Sequence, residues 1–278
     1  MLSSRPVPTR GVCRQQLARH IIMVLLRVLS LVLVQFLGGV ESAKSKAATL
    51  NLGDATLLVV DGVTDEGMKL AGDLLAREDT NVNLEVEHDD GSKGTPLAVA
   101  IHAMGLPDAE DCMGLIGKLL ARKDVDVNAP LTAPDDSTVP PLMLAVKAAS
   151  AGAPGGVEMV KSLLAQEKIA VNAMSSGGPS KIASLHLALG AAAKGSAGGM
   201  EAARALLARS DIDADVEMVG PDGAAVTPLM KLALLLKEAP GDAHLQAAVA
   251  LLVGRAKPLA DETLQNLVAG AAGKKDEL

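Results

Sequence analysis

Three stretches of this sequence space side-chain oxygens as a cation-binding loop does: Asp79-x-Asn81-x-Asn83, Asp124-x-Asp126-x-Asn128 and Asp211-x-Asp213-x-Asp215. Oxygens on alternate residues open an EF-hand loop, which then needs a Gly at its sixth place and a Glu at its twelfth. Leu84, Ala129 and Val216 stand where the Gly belongs, and no Glu closes the loop. The other acids are scattered, in pairs such as Asp89-Asp90 and Asp135-Asp136, leaving low-affinity calcium buffering as the most that these oxygens suggest. Four histidines follow residue 42: His88, His102, His186 and His244. Neither His102 nor His244 has a Cys or carboxylate at metal-ligand spacing. There is no Gly-x-Gly-x-x-Gly, no P-loop and no His-Glu-x-x-His, and local motifs assemble no nucleophile, base and acid. The expectation is a protein without a catalytic residue, metal or cofactor.

The elements that carry these residues recur. Leu-Leu-Ala appears at Leu74, Leu119, Leu163 and Leu206, with Leu251-Leu252-Val253 as a fifth copy, at spacings of 45, 44, 43 and 45. Asp79–Asn83, Asp124–Asn128, Lys168–Asn172 and Asp211–Asp215 each begin five residues after a Leu-Leu. Further on, each unit reaches a helix start: Thr95-Pro96-Leu97-Ala98, Pro140-Pro141-Leu142-Met143, Ala183-Ser184-Leu185-His186 and Thr227-Pro228-Leu229-Met230. A Thr hydroxyl caps free N–H groups there, and Pro in the first turn gives up no hydrogen bond. Pro140 and Ala183 replace that Thr, which predicts weaker starts.

A Thr-Pro-Leu-His start, a second helix ending in Leu-Leu and an Asp-Val-Asn-Ala loop resemble the ankyrin repeat. Leu185-His186-Leu187-Ala188 matches the start and Asp126-Val127-Asn128-Ala129 the loop. The likeness spans roughly residues 51–260, although ankyrin units are usually about 33 residues long. The excess lies in the links between paired helices and in the fingers between repeats, both rich in Gly, Pro, Ser and Asp. The fold this implies is all-α: an ankyrin-like solenoid of about four full helix-pair repeats, with a degenerate N-terminal cap repeat. Residues 43–60 are read as linker and degenerate first helix, 61–258 as repeats and 259–274 as a capping helix and tail. Each pair has an apolar stripe that only a neighbour can bury. The rival arrangement is a generic Ala/Leu-rich bundle.

Composition fits the repeat. Of 278 residues none is Trp or Tyr and one is Phe, so the core must be built from Ala, Leu, Val, Ile and Met. Ala, Leu and Met favour helix. Residues 1–42 are read as a signal peptide: Arg19 and His20 precede an apolar run from Ile21 to Leu37, with Val40 and Ser42 at a cleavage site. The alternative is an uncleaved signal anchor, and Met23 is a second possible start. Lys275-Asp276-Glu277-Leu278 spells the endoplasmic-reticulum retrieval signal, which makes the lumen the expected compartment and the retrieval receptor a partner. Removing the net +4 of residues 1–42 takes the formal charge from −7 to −11, which argues against nucleic acid and suits a basic partner. Cys112 is then alone, without an intramolecular disulfide, and no Asn begins a glycosylation acceptor.

The ankyrin resemblance implies a scaffold that binds a protein, here an unknown luminal one, through finger loops and first helices. The residues it points to are His88, Asp89, Asp90, Asp135, Asp136, Pro179, Pro221 and Asp222 at finger tips, with His102 and Lys147 on first helices. It gives His186 a structural task, hydrogen bonding between neighbouring loops. The alternative function is a signal-anchored luminal structural protein, which touches membrane only if the signal stays attached.

Overall fold

The computed structural model describes residues 51–62, 64–106, 112–178, 180–220 and 223–273. The segment read as signal peptide and the terminal tetrapeptide lie outside them. Five helix pairs follow one another: α1 (Leu52–Val60) with α2 (Thr64–Leu75), α3 (Pro96–Ala103) with α4 (Met113–Leu120), α5 (Pro141–Ser150) with α6 (Gly156–Leu164), α7 (Ser184–Ala192) with α8 (Ala197–Leu207), and α9 (Pro228–Glu238) with α10 (Ala243–Leu252). A last helix, α11 (Glu262–Ala272), closes the stack against α9 and α10, burying Leu264, Val268 and Ala271.

Local chemistry sets the helix starts. Thr95 Oγ1 and Thr227 Oγ1 each accept from a backbone N–H three residues on, at 3.3 Å, with Pro in the first turn. The first pair lacks that signature and uses a capping box, in which Asn51 Oδ1 accepts from Gly53 and Asp54 while Asp54 Oδ2 accepts from the Asn51 N–H. Pro140 makes no side-chain cap, as its residue type requires. At Ala183 the expected weakness is partly offset: His186 Nδ1 accepts from the Ala183 N–H at 3.4 Å, half of a capping box built from imidazole.

The fingers are hairpins, although the sequence reads as loop there. Strands β1 (Val86–Glu87) and β2 (Lys93–Gly94), β3 (Leu131–Thr132) and β4 (Thr138–Val139), and β5 (Met218–Val219) and β6 (Ala225–Val226) pair antiparallel. The finger between α6 and α7 closes on a single bridge, Met174 with Ala183; Lys93 also pairs with Thr132, Thr138 with Ser176 and Lys181 with Val219, so each of these four fingers is tied to the next. Strands of two residues leave no alternation for a sequence to display.

The core follows the stack, with Leu97, Ile101, Leu115, Leu119, Leu142, Met159, Leu163 and Leu185 fully buried. Small residues let pairs approach: a Cβ on Gly198 would overlap the carbonyl of Ala149.

The Asp- and Asn-rich stretches clasp one unit to the next. Asn83 Nδ2 donates to the Asp124 carbonyl and its Oδ1 accepts from the Asp126 N–H, at 2.8 and 2.7 Å. Asn128 does the same with Lys168 and Ala170, and Asn172 with Asp211 and Asp213. A primary amide donates from its nitrogen while it accepts at its oxygen, which a carboxylate cannot do. At the last joint Asp215 stands in its place and accepts one bond, from the Lys257 N–H. A second clasp is arginine: Arg122 reaches the carbonyls of Leu75 and Arg77, Arg209 that of Leu164, and Arg255 those of Leu207 and Arg209. Asp124 and Asp211 hold two of these guanidiniums in bidentate pairs. The oxygens that mimic a calcium loop are therefore turned to backbone N–H groups and arginines.

The concave groove as candidate functional site

First helices and fingers together wall a groove. Aligned on their starts, the first helices place His102, Lys147, Gly190 and Leu234 at one position, six residues in. The first three line cavities on this side of the stack. One cavity, of about 340 Å³, lies between the first three fingers and helices α3, α5 and α7. A second, of about 680 Å³, lies between α7 and α9. Ile182 and Leu187 line both, so the two cavities adjoin along the same side of the stack.

Three residues that the sequence marked for contact, Asp90, His102 and Lys147, meet in the first cavity. Asp90 is the centre of a cluster. Its Oδ1 lies 3.2 Å from His88 Nδ1 and accepts from the Ser92 N–H and hydroxyl, while its Oδ2 lies 3.0 Å from His102 Nε2. The imidazoles of His88 and His102 meet edge-on, with centroids 6.1 Å apart. Partial burial works against the ionised form of Asp90, but the Ser92 hydroxyl and amide and the two imidazoles outweigh it. They hold the carboxyl well below the usual carboxylate range. The cluster fastens the first finger to α3. His88, with a side chain 10% exposed, packs behind that contact and offers partners little surface. Among the described residues no group of three His, Cys, Asp or Glu side chains is arranged to hold a metal ion.

Asp89, Asp135 and Asp136 are exposed at finger tips. Hydrogen bonds from the Ser137 hydroxyl and amide lower the Asp135 carboxyl, and Asp136 takes a left-handed φ of 61°. Lys147 is exposed on α5. Pro179, Pro221 and Asp222 lie outside the described residues.

Sequence reasoning missed the other walls of the two cavities: Ser92, Thr138 and Ser176 from the fingers, and Leu187, Gly190 and Lys231 from α7 and α9. Aligning the helix starts and reading six residues in would have found Gly190. The link from Asp90 to His102 crosses twelve residues and a hairpin, and no local motif carries it.

The second cavity lies at the joint between the fourth and fifth pairs. Nε2 of His186 is buried without a hydrogen-bond partner. Burial lowers its pKa, opposed by the nearby Val226 backbone on the next finger. The residue therefore caps its own helix and only approaches the neighbouring loop that it was expected to bond.

No family model matches the chain, and no curated protein does. Among solved structures it is similar to the crystal structure of the Legionella pneumophila effector AnkC. The identity is 17%, the TM-score 0.56, and the match covers 88% of this chain and 77% of that one. Likeness at that identity is a likeness of fold, and it agrees with the ankyrin-type helical solenoid described above.

Proposed function

We propose that this protein is a binding scaffold that holds a segment of a partner protein in its concave groove, and that it works in the lumen of the endoplasmic reticulum. The observation that carries the first part is the pair of adjoining cavities along α3, α5, α7 and α9, floored by helices and edged by the linked fingers. A concave, largely preformed site on a stack of repeats is where such folds bind. The groove has no Trp or Tyr to serve as an anchor, so aromatic anchors, which dominate many interfaces, must come from the partner. The second part rests on Lys275-Asp276-Glu277-Leu278 and the basic-then-apolar run before residue 42.

A photo-reactive residue tests the groove directly. Placed at Lys147 on the concave side, it should give partner adducts in cells; placed at exposed Lys161 on second helix α6, it should give few. Equal yields, or adducts from Lys161 alone, would rule out the groove as the binding surface. The compartment is tested separately: removal of the last four residues should release the protein into the medium, and its retention would contradict a free luminal protein, with carbonate extraction then telling a membrane-anchored form from a wrong compartment.

A further inference from the structure

The wedge between α7 and α9 has a chemistry of its own, and its assignment rests on the groove being a protein-binding surface. Leu187, Leu232, Leu235, Met218 and Leu245 line it. Gly190 takes the position that carries His102 and Lys147 in earlier units, and a Cβ there would meet nothing within 4 Å. A missing side chain thus opens an apolar hollow in the floor. At the joint around it Asp215 accepts one bond where the Asn of earlier joints makes two, Arg255 crosses to two carbonyls, and His186 Nε2 is unbonded.

The charges beside the hollow are basic. Helices α3, α5 and α7 contain no acid at all, and the floor's ionisable groups are His102, Lys147, His186, Lys194 and Lys231, with Glu238 the exception at the end of α9. Lys147, Lys194 and Lys231 are exposed and form no ion pair among the described residues. Asp90, the one carboxylate of the first cavity, is already occupied by His88, His102 and Ser92. In a chain of net charge −7 this is a local reversal, and the basic partner suggested by overall charge does not match it.

We infer that the wedge is the side-chain pocket for an acidic, apolar segment of the partner. Its apolar side chains would fill the hollow at Gly190, and its carboxylates would face Lys231 and Lys147. An occupant that reaches both lysines must extend from one cavity to the other past Ile182 and Leu187, which calls for an extended peptide and not a compact small molecule.

The test uses the full chain and two fluorescein-labelled peptides, one alternating Leu with Glu and the other Leu with Lys, read by anisotropy. The Leu–Glu peptide should bind at least about tenfold more tightly. Gly190→Leu should weaken it by about tenfold or more without lowering Tm, because the new side chain enters open space and Leu outranks Gly in a helix. Lys231→Glu should shift preference toward the Leu–Lys peptide. Equal affinities, no binding of the Leu–Glu peptide, or binding that survives Gly190→Leu each overturn the inference. Oleate occupying the wedge in place of either peptide would overturn it too. Adducts at Lys147 alongside any of these failures would leave the groove standing and remove only the wedge's assignment.

Discussion

Asn83, Asn128 and Asn172 explain at the level of single atoms why the loop pattern ends in Asn at three of four places. Each amide donates to one backbone group of the next unit and accepts from another. Asn128→Asp keeps the acceptor for Ala170 but sets a carboxylate against the Lys168 carbonyl. Loss of the donor should cost about 1 kcal/mol in denaturant unfolding; an unchanged midpoint would show that the clasp contributes nothing. The sequence showed this spacing, and the missing Gly and Glu spoke against an EF-hand, but spacing tells which oxygens are near one another, not which groups face them. His186 gives a second prediction. Its pKa is lowered, chiefly by burial, so the unfolded chain binds the proton more readily. The stability it contributes is complete above the unfolded value of about 6.5 and is lost as pH falls below it. Gln at this position retains an acceptor for the Ala183 N–H and does not titrate. Between about pH 7 and pH 5, Tm should therefore fall less in His186→Gln than in the parent, and equal falls would contradict a pKa set by burial.

Among the elements, helices were legible and fingers were not. Leu-Leu-Ala and Thr-Pro-Leu mark helix ends because capping and apolar periodicity act within a turn or two. The finger strands are two residues long, and the pairs that link one finger to the next lie some forty residues apart, as in Lys93 with Thr132 and Thr138 with Ser176. The Asp90 cluster is of the same kind, joining a hairpin to a helix. Gly177 shows what this costs a local reading. A Gly in a loop reads as cheap to replace, under about 1 kcal/mol for Ala when the backbone is ordinary. Here φ is +79°, and an added Cβ would lie 2.7 Å from the Asp136 carbonyl oxygen of the preceding finger. Gly177→Ala should instead cost more than about 1 kcal/mol, since left-handed backbone alone costs an L-residue about 1–2 kcal/mol. Chemical denaturation measures this, and a loss below that range would mean that the third finger moves freely against the second.

Taken whole, the molecule is a row of helix pairs whose contacts run mainly from neighbour to neighbour: core leucines, Asn and Arg clasps, and linked fingers. That architecture was legible from the 43–45 residue period. The groove's charge reversal was not, because the basic residues of the floor are dispersed through four units and only stacking aligns them. Leu164 sits where the stack can be interrogated. Its side chain is buried at the end of α6, and its carbonyl accepts from Arg209 of the next unit. Leu164→Ala should cost about 2–5 kcal/mol, as core leucine truncations do. In a one-dimensional stack that loss stays near its origin. Segment-resolved hydrogen exchange on the full chain is the most direct test. A nearest-neighbour stack predicts lost protection in α5 to α8, around the third and fourth pairs, with α1 and α2 little changed. Equal loss from α1 to α11 would contradict such a stack and indicate a single cooperative bundle.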